Sequence, residues 1–194
     1  MGGWSNKFYD CEFSKFVSGF DILFLQETWV QDIASLSLQG FQVFAIPAIK
    51  VHSKGRGSGG LAVLVAVDLI AEIQILESSC PNYIQALLIK GPHLGSLLCI
   101  NVYVPPKLSM SQDKGRLWDQ LSHTLETLTF QFPNSQTIVY GDFNARIGPG
   151  LSDIRADVNF QIAEHTCLLE RRSQDPVINK PGLKLLELLS LYNL

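Results

Sequence analysis

Side chains suited to phosphate chemistry stand at the ends of three apolar runs. In Ile138-Val139-Tyr140-Gly141-Asp142-Phe143-Asn144 the apolar run stops at Gly-Asp-x-Asn. Side chains alternate along an extended strand, so Asp142 and Asn144 are expected on the same side. The carboxylate can orient or deprotonate a water, and the amide can hold a phosphate oxygen. The carboxyl end of a buried strand would give that pair a rigid support. The same letters also suit a plain Asp/Asn turn. Glu27 closes the run Ile22-Leu23-Phe24-Leu25-Gln26. A hard cation such as Mg²⁺ takes oxygen ligands, often only one or two carboxylates with waters and substrate phosphate, which Glu27 could supply. The alternative is a helix start, with Glu27 helping Thr28 to cap the next turn. In Ile100-Asn101-Val102-Tyr103-Val104, alternation puts Asn101 and Tyr103 on one face. A phenol there can hydrogen-bond a phosphate, or it can be an ordinary half-buried β residue.

Other motifs exclude more than they include. Gly55-Arg56-Gly57-Ser58-Gly59-Gly60 has the letters of a dinucleotide fingerprint, but it follows a polar loop and opens a strand. It is better read as a tight turn feeding Leu61–Val65. Lys50, Lys54 and Arg56 could touch a nucleic-acid backbone, or form a solvated loop. No histidine stands in a catalytic frame, and neither a G-x-S-x-G elbow nor a phosphate-loop lysine motif occurs.

The elements that would position these groups follow from periodicity. Phe8, Phe13, Phe16 and Val17 suggest a short amphipathic helix, and Ile33–Leu38 a helical turn or two. Strand patterns cover Asp21–Gln26, Phe41–Ile46, Leu61–Val65, Ile73–Leu76, Ile84–Ile89 and Leu97–Val104. Leu117, Trp118, Leu121, Leu125 and Leu128 then repeat at helical spacing between Ser111 and Phe132. That helix leads into the strand ending at Asp142. Gly148–Pro181 is polar and rich in turn formers, and Leu183–Leu194 reads as a leucine-rich amphipathic helix. Consecutive strands with one long crossover helix argue a mixed α/β fold. No repeat or linker divides the chain, so a single domain over 1–194 is expected.

Bulk properties agree with a packed domain. The 194 residues are 46% hydrophobic and 17% charged, and the net charge is −3. No global basic field draws the chain to nucleic acid, although a bound divalent cation can supply positive charge locally. The four cysteines (Cys11, Cys80, Cys99, Cys167) form no C-x-x-C pair, which suits reduced thiols in an intracellular protein. No signal peptide is expected, because Met1-Gly2-Gly3-Trp4-Ser5-Asn6 has neither a basic head nor an apolar stretch, and no membrane span, because the greasiest stretch, Leu61–Leu76, is broken by Asp68 and Glu72.

Four motifs occur in one order: Leu25-Gln26-Glu27-Thr28, Ser58-Gly59-Gly60-Leu61-Ala62-Val63-Leu64, Asn101-Val102-Tyr103-Val104-Pro105 and Gly141-Asp142-Phe143-Asn144. Together they resemble the endonuclease/exonuclease/phosphatase superfamily, closest to the apurinic/apyrimidinic-type endonuclease domains of non-LTR (LINE-like) retrotransposons. Asn144-Ala145-Arg146-Ile147-Gly148 and the closing Leu185–Leu194 segment share that character. The resemblance implies a four-layer α/β/β/α sandwich of two mixed sheets (deoxyribonuclease I-like) that hydrolyses phosphodiesters with Mg²⁺ (or Mn²⁺). By the same resemblance, Glu27 matches the metal-binding glutamate and Tyr103 the tyrosine on the scissile phosphate. Asp142 matches the aspartate that positions the attacking water, and Asn144 its phosphate-binding partner. Asn101 is a lesser substrate-binding candidate.

Departures from the pattern set a further expectation. The family's opening strand with its asparagine, its later aspartate and its terminal Ser-Asp-His motif have no match, so the fold is expected to be incomplete at both ends. Loss of one such electrostatic group costs about a hundredfold to a thousandfold, so this chain is expected to be weak or inactive. The leading expectation is a Mg²⁺-dependent DNA-nicking endonuclease of retrotransposon type. The alternatives are an inositol-phosphate or lipid phosphodiesterase of the same fold, or a non-catalytic remnant or binding protein. DNA is the only partner implied, with no membrane and no protein partner evident. A nuclear location would follow from the substrate alone.

Overall fold

The computed structural model describes residues 10–50, 57–106, 111–148, 175–192 and 194. Lys54, Arg56, His52, Phe8, Cys167 and most of the Gly148–Pro181 stretch lie outside these residues. The chain divides into two compact units, Met1–Asp142 and Phe143–Leu194.

The first unit opens with helix α1 (Cys11–Val17), whose first turn is capped by the Asp10 carboxylate accepting from Glu12 N (3.0 Å) and Phe13 N (3.3 Å). Strands β1 (Ile22–Gln26), β2 (Phe41–Ile46) and β3 (Leu61–Ala66) form an antiparallel sheet in the order β1-β3-β2. The central strand, Leu-Ala-Val-Leu-Val-Ala, is buried at every position. Its uninterrupted apolar run fits a strand paired on both edges and covered on both faces. Strands β4 (Glu72–Leu76), β5 (Ile84–Gly91), β6 (Gly95–Tyr103) and β7 (Gln136–Asp142) form the second sheet, in that order. Among the described residues only β6 and β7 run parallel. Parallel neighbours need a long crossover, and helix α2 (Ser111–Gln131) provides it.

The two sheets pack face to face. Val63 and Val65 meet Leu87, Ile89, Leu97 and Cys99, with Phe24 and Phe44 against the same cluster. The outer face of the first sheet, Ala62 and Leu64, is covered by Val17 and Phe13 of α1 together with Leu38. On the second sheet, Ala86, Leu88, Leu98 and Ile100 are equally buried, as is the α2 stripe Leu117, Leu121, Leu125 and Leu128. A fully buried Leu or Ile contributes about 1.5–3 kcal/mol, so these layers hold the sandwich. Two packed sheets with helices give the α/β fold that the resemblance implies, but the first sheet is antiparallel rather than mixed and only the second is mixed.

The sequence and the structure part at β7 and after Glu27. Strand β7 is not a buried strand: it alternates exposed and half-buried positions, and Ile138 and Tyr140 are exposed. Among the described residues it is the outer strand of its sheet, with β6 as its single neighbour. No helix starts at Thr28. The next helical element is a 3₁₀ turn at Ile33–Ser35, and its cap is Asp32.

In the second unit, Ile147 forms an antiparallel bridge with Ile178. Helix α3 (Lys180–Tyr192) follows, with Gly182 and Leu188 buried.

Candidate active site

The strand ends β1, β6 and β7 meet at one end of the sandwich. In the parallel β6–β7 register Tyr103 lies beside Asp142, and Val104 N donates to Asp142 O (2.8 Å). Tyr103 is almost fully buried, and its hydroxyl donates to Glu27 Oε1 across the gap between the sheets. Glu27 itself is half-buried and Asp142 exposed. Three of the sequence candidates, Glu27, Tyr103 and Asp142, are therefore brought together from positions as far apart as 27 and 142.

Electrostatics fix the state of the phenol. Burial, the Glu27 carboxylate and the Asp142 carboxylate together push the Tyr103 pKa well above its ordinary value. Each of these disfavours a phenolate, so Tyr103 remains a neutral hydrogen-bond donor at physiological pH.

The backbone under Glu27 is locally strained. Glu27 and Trp29 have φ of 53° and 57°, a region side chains other than Asn and Asp rarely enter. Such residues cost on the order of 1 kcal/mol or more each and persist where their surroundings hold them. Here Thr28 N donates to Gly60 O (3.2 Å), Trp29 N to Gly59 O (3.0 Å) and Ala48 N to Val30 O (2.7 Å). Gly60 adopts φ +89°, and a methyl group there would overlap Thr28 Oγ1. The Gly59-Gly60 pair thus serves as a backbone cradle for the Glu27 turn. Thr28 Oγ1 is buried and, among the described residues, has no hydrogen-bond partner.

Gly141 has a related role. It lies opposite Val102 in the β6–β7 register, and a Cβ at Gly141 would overlap the Val102 carbonyl oxygen. Its absence lets β7 approach β6 closely enough to set Asp142 beside Tyr103.

Asn101 does face the same way as Tyr103, toward β1, but it is fully buried. Its Nδ2 donates to Leu25 O (3.2 Å), Ala62 O (3.3 Å) and Gln85 Oε1 (3.3 Å), and its Oδ1 accepts from Gln26 Nε2 (2.6 Å). Gln85 Nε2 in turn donates to Phe44 O (2.8 Å). The amide is spent joining the two sheets directly beneath Glu27, and it presents no atom at the surface. A strand asparagine flanked by apolar residues carries that signal only weakly, because its partners come from three other strands.

Asn144 lies in the second unit, half-buried, with φ of 45°. Asparagine tolerates that left-handed conformation better than most residues.

The donor set suits a hard divalent cation. Glu27 and Asp142 supply carboxylate oxygens at one end of the sandwich, both acting on Tyr103, with no thiol or imidazole in the set. Mg²⁺ is commonly held by one or two carboxylates and completes its shell with water and phosphate oxygens. Among the described residues no group of three or more His, Cys, Asp or Glu side chains gathers to hold a metal, so this pair of carboxylates would need water and phosphate oxygens to complete a shell. None of the helices described is long and apolar enough to cross a membrane.

Comparison with solved structures finds the same fold. The catalytic domain of Xenopus laevis APE2 superposes with a TM-score of 0.54 at 18% identity, covering 76% of this chain and 57% of that one. The endonuclease domain of TRAS1, a telomere-specific non-LTR retrotransposon, superposes with a TM-score of 0.54 at 14% identity, covering 92% of this chain and 63% of that one. The chain therefore spans less than two thirds of either domain. No curated protein matches it in sequence. The sequence model of one family matches residues 6–159, which include Glu27, Tyr103, Asp142 and Asn144. With that match over most of its length, the chain belongs to the endonuclease/exonuclease/phosphatase family.

Proposed function

We propose that this chain is a divalent-metal-dependent phosphodiesterase that nicks DNA, of the retrotransposon endonuclease type. The observation that carries this reading is the Glu27–Tyr103 hydrogen bond with Asp142 in register beside it. Glu27 would hold Mg²⁺ (or Mn²⁺). When bound, the cation neutralises charge on the phosphate and on the departing oxygen. Asp142, an exposed carboxylate, accepts a hydrogen bond from the attacking water, orients it in line and takes its proton as the oxygen–phosphorus bond forms. Tyr103 stays protonated and donates to a non-bridging phosphate oxygen. Its single proton serves one acceptor at a time, so turning to phosphate releases Glu27 Oε1 as an acceptor. The Asn144 amide, two residues beyond Asp142 along the chain, donates to a second phosphate oxygen. The TRAS1 endonuclease domain, which has the same fold, supports DNA as the substrate class.

The test is nicking of supercoiled plasmid by the purified chain with Mg²⁺ or with EDTA, beside Glu27→Ala and Asp142→Ala. The expected result is weak Mg²⁺-dependent nicking that falls to the EDTA background in each variant. Nicking that survives both substitutions would overturn the assignment. Turnover of a phosphoinositide in preference to plasmid would transfer the same site to a different substrate.

A further inference from the structure

Within the second unit, the backbone around Asn144 is held by one side chain that no catalytic role absorbs, Asn179. Its Oδ1 accepts from Arg146 N (3.0 Å) and from Gly182 N (2.8 Å), and its Nδ2 donates to Asn144 O (3.3 Å). Its own backbone N–H donates to Arg146 O (3.0 Å). The Gly182 bond is a helix N-cap, made to the third residue of the first turn of α3. The other three bonds grip Asn144 and Arg146, more than thirty residues earlier.

Two neighbouring features close the grip. A Cβ at Gly182 would overlap the Arg146 carbonyl oxygen, so only glycine lets the helix start sit this close to the loop. Arg146 also makes a two-pronged ion pair with Asp175, with both N···O distances 2.7 Å. The Arg146 guanidinium holds the Asp175 carboxyl down to about 2. The left-handed φ of Asn144 is the conformation this clamp preserves.

We propose that Asn179 is a positioning residue: through its Nδ2–Asn144 O bond it fixes the backbone from which the Asn144 amide reaches the substrate phosphate. The functional half of this inference rests on the phosphate-binding role given to Asn144 above. A mere helix cap and a positioning residue make different demands. A cap needs only an acceptor, which aspartate and serine supply as well as asparagine. Holding Asn144 O needs a donor on the same side chain, which aspartate lacks and serine is too short to place.

The test compares the wild-type chain with Asn179→Asp and Asn179→Ser in three measurements: thermal midpoint, ¹⁵N heteronuclear NOE at residues 144–146, and kcat and KM for Mg²⁺-dependent plasmid nicking. The expected result is a nearly unchanged midpoint, a lower NOE at Asn144 and Arg146, and KM raised about fivefold with kcat little changed, the equivalent of one net hydrogen bond. An unchanged NOE and KM in either folded variant would overturn the proposal. If the wild-type chain does not nick, the endonuclease reading fails while a lowered NOE still supports the clamp. If it nicks and the variants match it, the clamp fails while the endonuclease reading stands.

Discussion

Replacing Asn101 with leucine would remove the amide that joins the two sheets beneath Glu27. Four polar groups lose a partner: Leu25 O, Ala62 O, Gln85 Oε1 and Gln26 Nε2. Gln85 is 5% exposed, so it has no water to turn to. Gln26 is half-buried and can recover part of its loss. The two carbonyls have a second lone pair each and belong at the low end of the scale. At about 1 kcal/mol per group the gross loss is about 4 kcal/mol. The added apolar surface of leucine offsets about 1–2 kcal/mol of that. The net destabilisation of about 2–3 kcal/mol lowers the melting temperature by about 5–10 °C for a chain of this size. Thermal unfolding followed by circular dichroism at neutral pH measures it. A second variant separates hydrogen bonding from shape. Asn101→Asp keeps the shape but points an oxygen at three oxygen acceptors, which raises the folded-state pKa of the new carboxyl. Its penalty is therefore small at about pH 4 and grows as pH rises above the ordinary carboxylate range, whereas the leucine penalty is flat over that window. A leucine variant melting within about 2 °C of the wild type would refute the idea that this amide holds the sheets in register.

The other predictions concern the turns and the phenol at the same end of the sandwich. Gly141→Ala forces the new methyl into the Val102 carbonyl, so β7 must move away from β6; we expect nicking to fall at least tenfold, with hydrogen exchange accelerated at Val102–Val104. Thr28→Val removes a buried hydroxyl that has no partner among the described residues, and should raise stability by about 1 kcal/mol in urea unfolding; a loss of stability would mean that the hydroxyl is satisfied in solution. Tyr103 has a folded-state pKa raised above its unfolded value near 10, so the stability it contributes is complete below pH 10 and is lost as pH rises beyond that. The urea midpoint of the wild type should therefore fall more steeply above pH 10 than that of Tyr103→Phe, and equal slopes would contradict the assigned environment.

The sequence alone determined the elements and most of the chemical inventory. Strand β3 announces itself as Leu-Ala-Val-Leu-Val, and the crossover helix as leucines at helical spacing, because burial of a whole run or a single face is written in contiguous residues. Glu27, Tyr103 and Asp142 could be nominated because each ends such a run. Which nominees meet was decided by the tertiary structure. The order β1-β3-β2 beside β4-β5-β6-β7 brings Glu27 to Tyr103 across the sheets, and a parallel register puts Asp142 next to Tyr103. Local patterning also could not separate Asn101, turned inward as a link between sheets, from Tyr103 two residues later on the same face. Their fates differ because Leu25, Ala62 and Gln85 surround one, and Glu27 and Asp142 surround the other. The Gly59-Gly60 turn was legible as a turn, but not its purpose, because the clash it avoids is with Thr28, more than thirty residues before it. Hydrophobic periodicity is a local signal and survives in one dimension. Hydrogen-bond partners, steric vacancies and the field around a titratable group are set by residues distant in the chain, and only folding specifies them.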